Sequence, residues 1–158
     1  MTVSTSTEPP STDSEVTQLL WSAIVDVYQP VLREVVDVLE HDAGIDSGVY
    51  SALAYLDREP HGLRIGALHD RMRVRYSQPG LSRLVQRMEV DGLVRRRTDP
   101  ADRRRASLAL TRAGRTQFRR ARQVYRDALD EHLGRFVDAR DARALITALE
   151  QVAEARRV

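Results

Sequence analysis

The stretch that most constrains this chain runs from Ile65 to Leu110. Ile65, Leu68 and Met72 recur at helical spacing, and after a short basic connection Leu81, Leu84, Val85 and Met88 do so again. Apolar residues at threes and fours mark one buried stripe per helix, so each piece is a short amphipathic helix that needs a neighbour. The connection Arg73-Val74-Arg75-Tyr76 leads into Ser77-Gln78-Pro79-Gly80. Ser is a favoured N-cap because its hydroxyl accepts from a free amide of the first turn, and Pro in that turn forfeits no helical hydrogen bond. Asp91-Gly92 ends the second helix, with Gly as the cap. Two short helices joined this tightly form a helix-turn-helix. Leu93 to Thr98 then reads as a strand, Asp99-Pro100-Ala101-Asp102 as a turn, and Ser107 to Leu110 as a returning strand. Ahead of the pair, His61-Gly62-Leu63 is short and strand-like.

The flanks are helical. Apolar residues from Val16 to Leu39 form one broad stripe, interrupted by Pro30, which predicts a kink near Tyr28 and Gln29. Asp46 or Ser47 caps a second helix with Val49, Leu53 and Leu56 inward, ending near Glu59-Pro60. Thr111 caps a long helix carrying Phe118, Ala121, Tyr125, Leu129, Leu133 and Phe136. Asp138 or Asp141 starts a last helix with Leu145, Ile146, Leu149 and Val152 inward. With 158 residues, 42% of them hydrophobic, the chain suits one compact domain. Residues 1–14, rich in Ser, Thr and Pro, read as a disordered lead-in to a single domain over 15–158. That lead-in lacks a basic start followed by an apolar stretch, so it does not read as a secretory signal. No apolar run approaches the roughly 18 to 20 residues of a membrane span. The absence of cysteine excludes disulfides and thiolate metal sites, and it fits the cytoplasm as the expected location.

Charge is segregated. Net charge is only +2, yet Arg64 to Arg126 holds 18 Arg against five acids, while the remainder holds 7 Arg against 18 acids. All 25 basic residues are Arg. Compositional bias explains Arg in place of Lys, but not why acids avoid the middle. The middle is built to face a polyanion and the flanks to face something else.

The order helix, helix, helix-turn-helix, hairpin, long helix, last helix resembles the MarR family of bacterial regulators. Leu81 to Arg97 (LSRLVQRMEVDGLVRRR) looks like that family's recognition helix running into its first wing strand. Asp99 to Gly114 (DPADRRRASLALTRAG) matches the wing pattern D-P-x-D-R-R followed by L-T-x-x-G. The flanking helices match by pattern only. One departure is Gln86, where many relatives carry an acid that in some braces a wing arginine; Arg104 lacks that partner here.

The resemblance implies a mainly α fold with a small β-hairpin wing. A DNA-binding lobe over about 46–112 would sit between N- and C-terminal dimerisation helices, about 15–42 and 112–158, that interlock. The implied activity is sequence-specific binding of double-stranded DNA by a homodimeric transcriptional regulator, a repressor in the expected mode, on a pseudo-palindromic operator. Base contacts fall to the outward residues at the start of the recognition helix, Ser77, Gln78, Pro79, Ser82 and Arg83. Gln pairs bidentately with adenine and Arg with guanine, and Pro79 can meet a thymine methyl. Arg103, Arg104 and Arg105 on the wing suit a narrow minor groove. Arg73, Arg75 and Arg87 are phosphate candidates, with Arg64 and Arg95 behind them.

Relatives often bind a phenolic or other anionic effector between the dimer helices and the DNA-binding lobe; Trp21, Tyr28, Tyr50 and Tyr55 are the residues here that can line such a cleft. His41 and His132, each beside acids, come nearest to a regulatory metal site, but the four His form no H-x-x-x-H or H-E-x-x-H pair, so no metal or cofactor is expected. No nucleophile motif or phosphate-binding glycine loop points to an enzyme. The alternative is a ligand- or metal-sensing winged helix whose main contact is another protein. The polar outer face of Ser77 to Met88 argues against it.

Overall fold

The structure is a computed structural model that describes residues 14–99 and 102–155, with the side chains at 98, 99 and 102–105 outside that description. The expected lead-in therefore lies almost wholly outside the described residues. Helix α1 (Ser14–His41) continues through Pro30 without a break, and only its second half meets the core, through Val35 and Leu39. Helix α2 (Ser47–Asp57) is capped by Asp46 rather than Ser47: one carboxylate oxygen accepts from the Gly48 and Val49 amides at 2.9 Å each. A short strand β1 (Leu63–Arg64) leads into α3 (Ile65–Met72). Ser77 caps α4 (Gln78–Val90), its Oγ accepting from Gly80 N at 3.3 Å.

Strands β2 (Val94–Asp99) and β3 (Asp102–Leu110) form the hairpin, and β1 joins them in an antiparallel sheet of order β1-β3-β2. Leu63 pairs with Leu108, Arg96 also faces Leu108, and Val94 faces Leu110. The returning strand therefore starts at Asp102, not Ser107, and the backbone of Arg103, Arg104 and Arg105 lies on β3 rather than in the turn. Backbone pairing in an exposed hairpin needs no apolar alternation, so the ladder extends past the last residue that periodicity can detect. Thr111 caps α5 (Arg112–His132), and its Oγ1 accepts from Gly114 N at 2.9 Å. A 3-10 turn over Gly134–Phe136 precedes α6 (Ala139–Ala155), where Asp138 accepts from the Arg140 and Asp141 amides.

The core is the meeting of α2, α3, α4 and the sheet with the second half of α1 and one face of α5. Leu39, Leu53, Leu68, Leu81, Val85, Met88 and Leu108 are fully buried, and no polar or charged residue among those described is buried. Each such Leu contributes roughly 1.5–3 kcal/mol by leaving water. The apolar stripe of α6 behaves differently. Leu145, Ile146, Leu149 and Val152 remain about half exposed within one chain.

Gly114 sits where α5 crosses Leu93 so closely that a Cβ would overlap the Leu93 carbonyl. Backbone cannot yield as a side-chain tip can, so Gly114→Ala should lower the unfolding free energy by about 2–3 kcal/mol. Gly66, inside α3 with open space around it, is the control: Gly66→Ala should be neutral or stabilise by roughly 0.5–1 kcal/mol. Urea unfolding of both variants checks the pair.

Candidate nucleic-acid interface

Helix α4 buries Leu81, Leu84, Val85 and Met88, so the residues between them must face outward. Ser77, Gln78, Pro79, Ser82, Arg83 and Gln86 are all exposed. Ser77 holds the first turn in place, and Arg83 folds back along the helix, its Nε 3.4 Å from the Pro79 carbonyl. The outward surface at the start of α4 is thus polar, with amide, hydroxyl and guanidinium groups exposed.

The arginines fall into two groups. Arg73, Arg95 and Arg97 are exposed and have no acidic partner among the described residues. Others are held. Arg96 on β2 donates from Nε to both oxygens of Glu89, at 2.9 and 3.0 Å. Arg71 donates to Glu59 at 2.9 Å, and Arg87 on α4 is paired with Asp46. Arg75, in the α3–α4 connection, reaches Ser47 Oγ at 3.2 Å. Arg64 lies exposed on β1. The side chains of Arg103, Arg104 and Arg105 lie outside the described residues. Sequence reading does not find the partners Asp46 and Glu89. Asp46 is 41 residues from Arg87 and is visible in the sequence only as a cap, whereas Glu89 and Arg96 are brought together by the turn at Gly92, whose φ is +69°.

Of the four aromatics suggested for an effector cleft, Tyr28 and Tyr50 both lie near Tyr125, which lines one groove with Tyr28 and stacks on Tyr50. Tyr28 lines an apolar groove of about 490 Å³ between α1, α5 and α6, with Leu20, Val27, Leu129, Leu145 and Leu149 among its walls. Trp21 is 67% exposed. Tyr50 stacks on Tyr125 at 4.6 Å between ring centres and leans on Phe118 at 5.7 Å. The Tyr55 hydroxyl approaches the Arg71 carbonyl at 3.5 Å. His41 Nδ1 is 2.8 Å from the Asp37 carbonyl one turn back. Among the described residues no three metal-ligating side chains come together, and no helix is long and apolar enough to cross a membrane.

Residues 43–105, which hold the helix-turn-helix and most of the hairpin, match the model of the MarR family. No curated protein matches the sequence. Solved structures do. A MarR family transcriptional regulator from Silicibacter pomeroyi is 28% identical, with a TM-score of 0.73 over 92% of this chain and 99% of that one. Sco3205, a MarR family transcriptional regulator from Streptomyces coelicolor solved in complex with DNA, is 26% identical, with a TM-score of 0.77 over 94% and 92%. The transcriptional repressor CouR, bound to a 23-mer DNA duplex, is 26% identical, with a TM-score of 0.70 over 89% and 96%.

Burial raises the Tyr50 hydroxyl pKa from 10.0 to about 12, with Tyr125 adding to the effect. The folded state therefore keeps a proton that the unfolded chain gives up. Stability from this group is complete below pH 10 and is lost as pH rises from 10 towards 12. Tyr50→Phe should shrink the drop in urea midpoint between about pH 9 and about pH 11, because a phenyl ring has no proton to lose.

Proposed function

We propose that this chain, whose residues 43–105 match the MarR family model, is a winged helix-turn-helix protein of that family and a homodimeric repressor that binds a pseudo-palindromic DNA operator. The observation that carries this reading is the start of α4: Ser77 caps it, Leu81 and Leu84 anchor it, and Gln78, Pro79, Ser82 and Arg83 are left exposed on its outer face. A helix presented this way lays its first turns in the major groove. Gln78 then addresses adenine and Arg83 guanine, while Pro79 packs against a thymine methyl and Ser77 and Ser82 supply shorter polar contacts. The β2–β3 hairpin brings Arg103, Arg104 and Arg105 to the adjacent minor groove, and Arg73, Arg75, Arg64 and Arg95 meet phosphates. Sco3205 with DNA and CouR as a DNA-bound repressor support both the duplex and the mode of action.

The dimer follows from surface that one chain leaves uncovered. Leu19 (64%) and Trp21 (67%) on α1, Phe136 (71%) in the 3-10 turn and Ile146 (54%) on α6 are exposed, and the groove between α1, α5 and α6 is open and apolar. Apolar exposure on this scale calls for a partner, and a second copy supplies matching helices by two-fold symmetry. In this organisation residues of about 46–112 form the reading lobe, and about 15–42 and 112–158 the dimer helices. Two reading helices then meet half-sites about 10 base pairs apart. As a regulator of the bacterial kind it works in the cytoplasm, where bacterial DNA lies.

Selection of bound duplexes from a random pool should enrich a pseudo-palindrome, and light scattering should give twice the chain mass. On the selected site, Gln78→Ala and Arg83→Ala should each cost about 1–3 kcal/mol and relax preference at one base position per half-site. Arg103→Ala with Arg104→Ala should weaken binding to all sequences and flatten the log–log salt slope, by about 0.9 for each phosphate no longer neutralised. A pool that yields no enriched sequence overturns the reading.

A further inference from the structure

One carboxylate serves two helices. Oδ1 of Asp46 caps α2 by accepting from the Gly48 and Val49 amides, and Oδ2 holds the guanidinium of Arg87 on α4. Arg87 lies one turn beyond Arg83, and the two line an open cleft with Asp46, Ser47, Tyr76 and Gly80. Arg75 enters from the α3–α4 connection to reach Ser47 Oγ. Two arginines, Arg75 and Arg87, thus reach the first turn of α2, where free amides and the helix dipole favour an anion. In the free protein that anion is Asp46. A DNA strand lying along α4 would present phosphate to the same arginines.

The geometry points to Asp46 as an internal stand-in for a backbone phosphate, one that occupies Arg87 and so restrains the protein's hold on DNA of any sequence. The inference rests on the DNA reading of α4 given above. The pair is open to competition, with the Arg87 side chain 55% exposed and that of Asp46 35%. An exposed pair of this kind is worth a factor of roughly 1.5 to 5 in an equilibrium, so with Asp46 charged Arg87 stays largely on it in the wild-type complex. Releasing Arg87 leaves the cap intact, since the cap uses the other oxygen. The carboxylate also lies beside the path of the strand and repels it. Because phosphate contacts carry no base information, the restraint acts equally on every sequence, unlike anything done at Gln78 or Arg83.

Asp46→Asn and Asp46→Ser remove the charge and keep a good N-cap. The test is duplex binding by the full chain, on its selected site and on a random duplex, over a salt series. Both variants should bind both duplexes about 3- to 10-fold tighter, with the salt slope steeper by about 0.9 for each Arg87 engaged. Arg87→Gln alone should lose less than about twofold, and combined with Asp46→Asn it should abolish the gain. Unchanged or weaker binding by folded Asp46 variants overturns the restraint, as does a gain that survives Arg87→Gln. Should the Asp46 variants fail to fold, Arg87→Gln still decides: a loss of about tenfold or more shows that Arg87 was already free to grip DNA. Wild-type protein that binds no duplex at any salt overturns the DNA reading itself, and the restraint with it.

Discussion

The packing of four side chains decides what α4 can do. Leu81, Leu84, Val85 and Met88 bury one stripe of a 13-residue helix against α2, α3 and the sheet, and three of the four are at most 2% exposed. A close-packed interior fixes both the rotation and the height of the helix, because a shift of one residue would swap apolar for polar groups. The outward residues therefore do not choose their direction; the core chooses it for them. Ser77 completes the arrangement from outside the core. Its cap sets where the first turn begins, and hence how far Gln78 and Pro79 stand from the rest of the lobe.

A second junction ties this lobe to the long helices. Thr111 bonds four ways: its backbone N–H donates to the Leu93 carbonyl at 3.0 Å, its hydroxyl lies 2.6 Å from the Gly92 carbonyl and 3.2 Å from that of Leu93, and the same oxygen caps α5 through Gly114 N. With Gly114 pressed on Leu93, the end of α4, the root of the hairpin and the start of α5 become one rigid corner. The direction of α5 is thereby set by the reading lobe. Where α5 points, the groove with α1 and α6 follows. Geometry at the terminal helices and geometry at α4 are thus mechanically linked through a handful of hydrogen bonds centred on Thr111.

Local chemistry makes most of this legible in the sequence. The bounds of α3, the caps at Ser77 and Thr111, and the inner face of α4 all follow from spacing and capping rules, because those elements are decided by residues within a turn or two of each other. The third strand and the early start of β3 are harder to read. β1 is two residues long and owes its existence to pairing with Leu108 and Ser107, more than forty positions away. Arg103 to Arg105 carry no alternation that would mark a strand. The reach of Arg87 to Asp46 and of Arg71 to Glu59 depends on tertiary placement, which periodicity does not report. The stripe of α6 is plainly apolar in the sequence, but a stripe says only that something covers it, and in the single chain nothing among the described residues does so fully.

Charge counted along the sequence also overstates the free positive charge of the lobe. The excess of arginine between Arg64 and Arg126 suggests a uniformly cationic surface, yet among the described residues three of those arginines are met by acids. Glu89 belongs to the segment, but Asp46 and Glu59 lie just ahead of it in sequence and fold back onto Arg87 and Arg71. The acids nearest the lobe therefore sort its arginines into those held and those available. Exposed pairs of this kind add little to stability. Their larger effect is on the field the surface projects, since a neutralised guanidinium neither attracts phosphate from a distance nor releases counterions when it arrives. Among the described residues, a surface so edited keeps its unpaired attraction at Arg73 ahead of α4 and at Arg95 and Arg97 on β2, while the acids quench it at Arg71, Arg87 and Arg96.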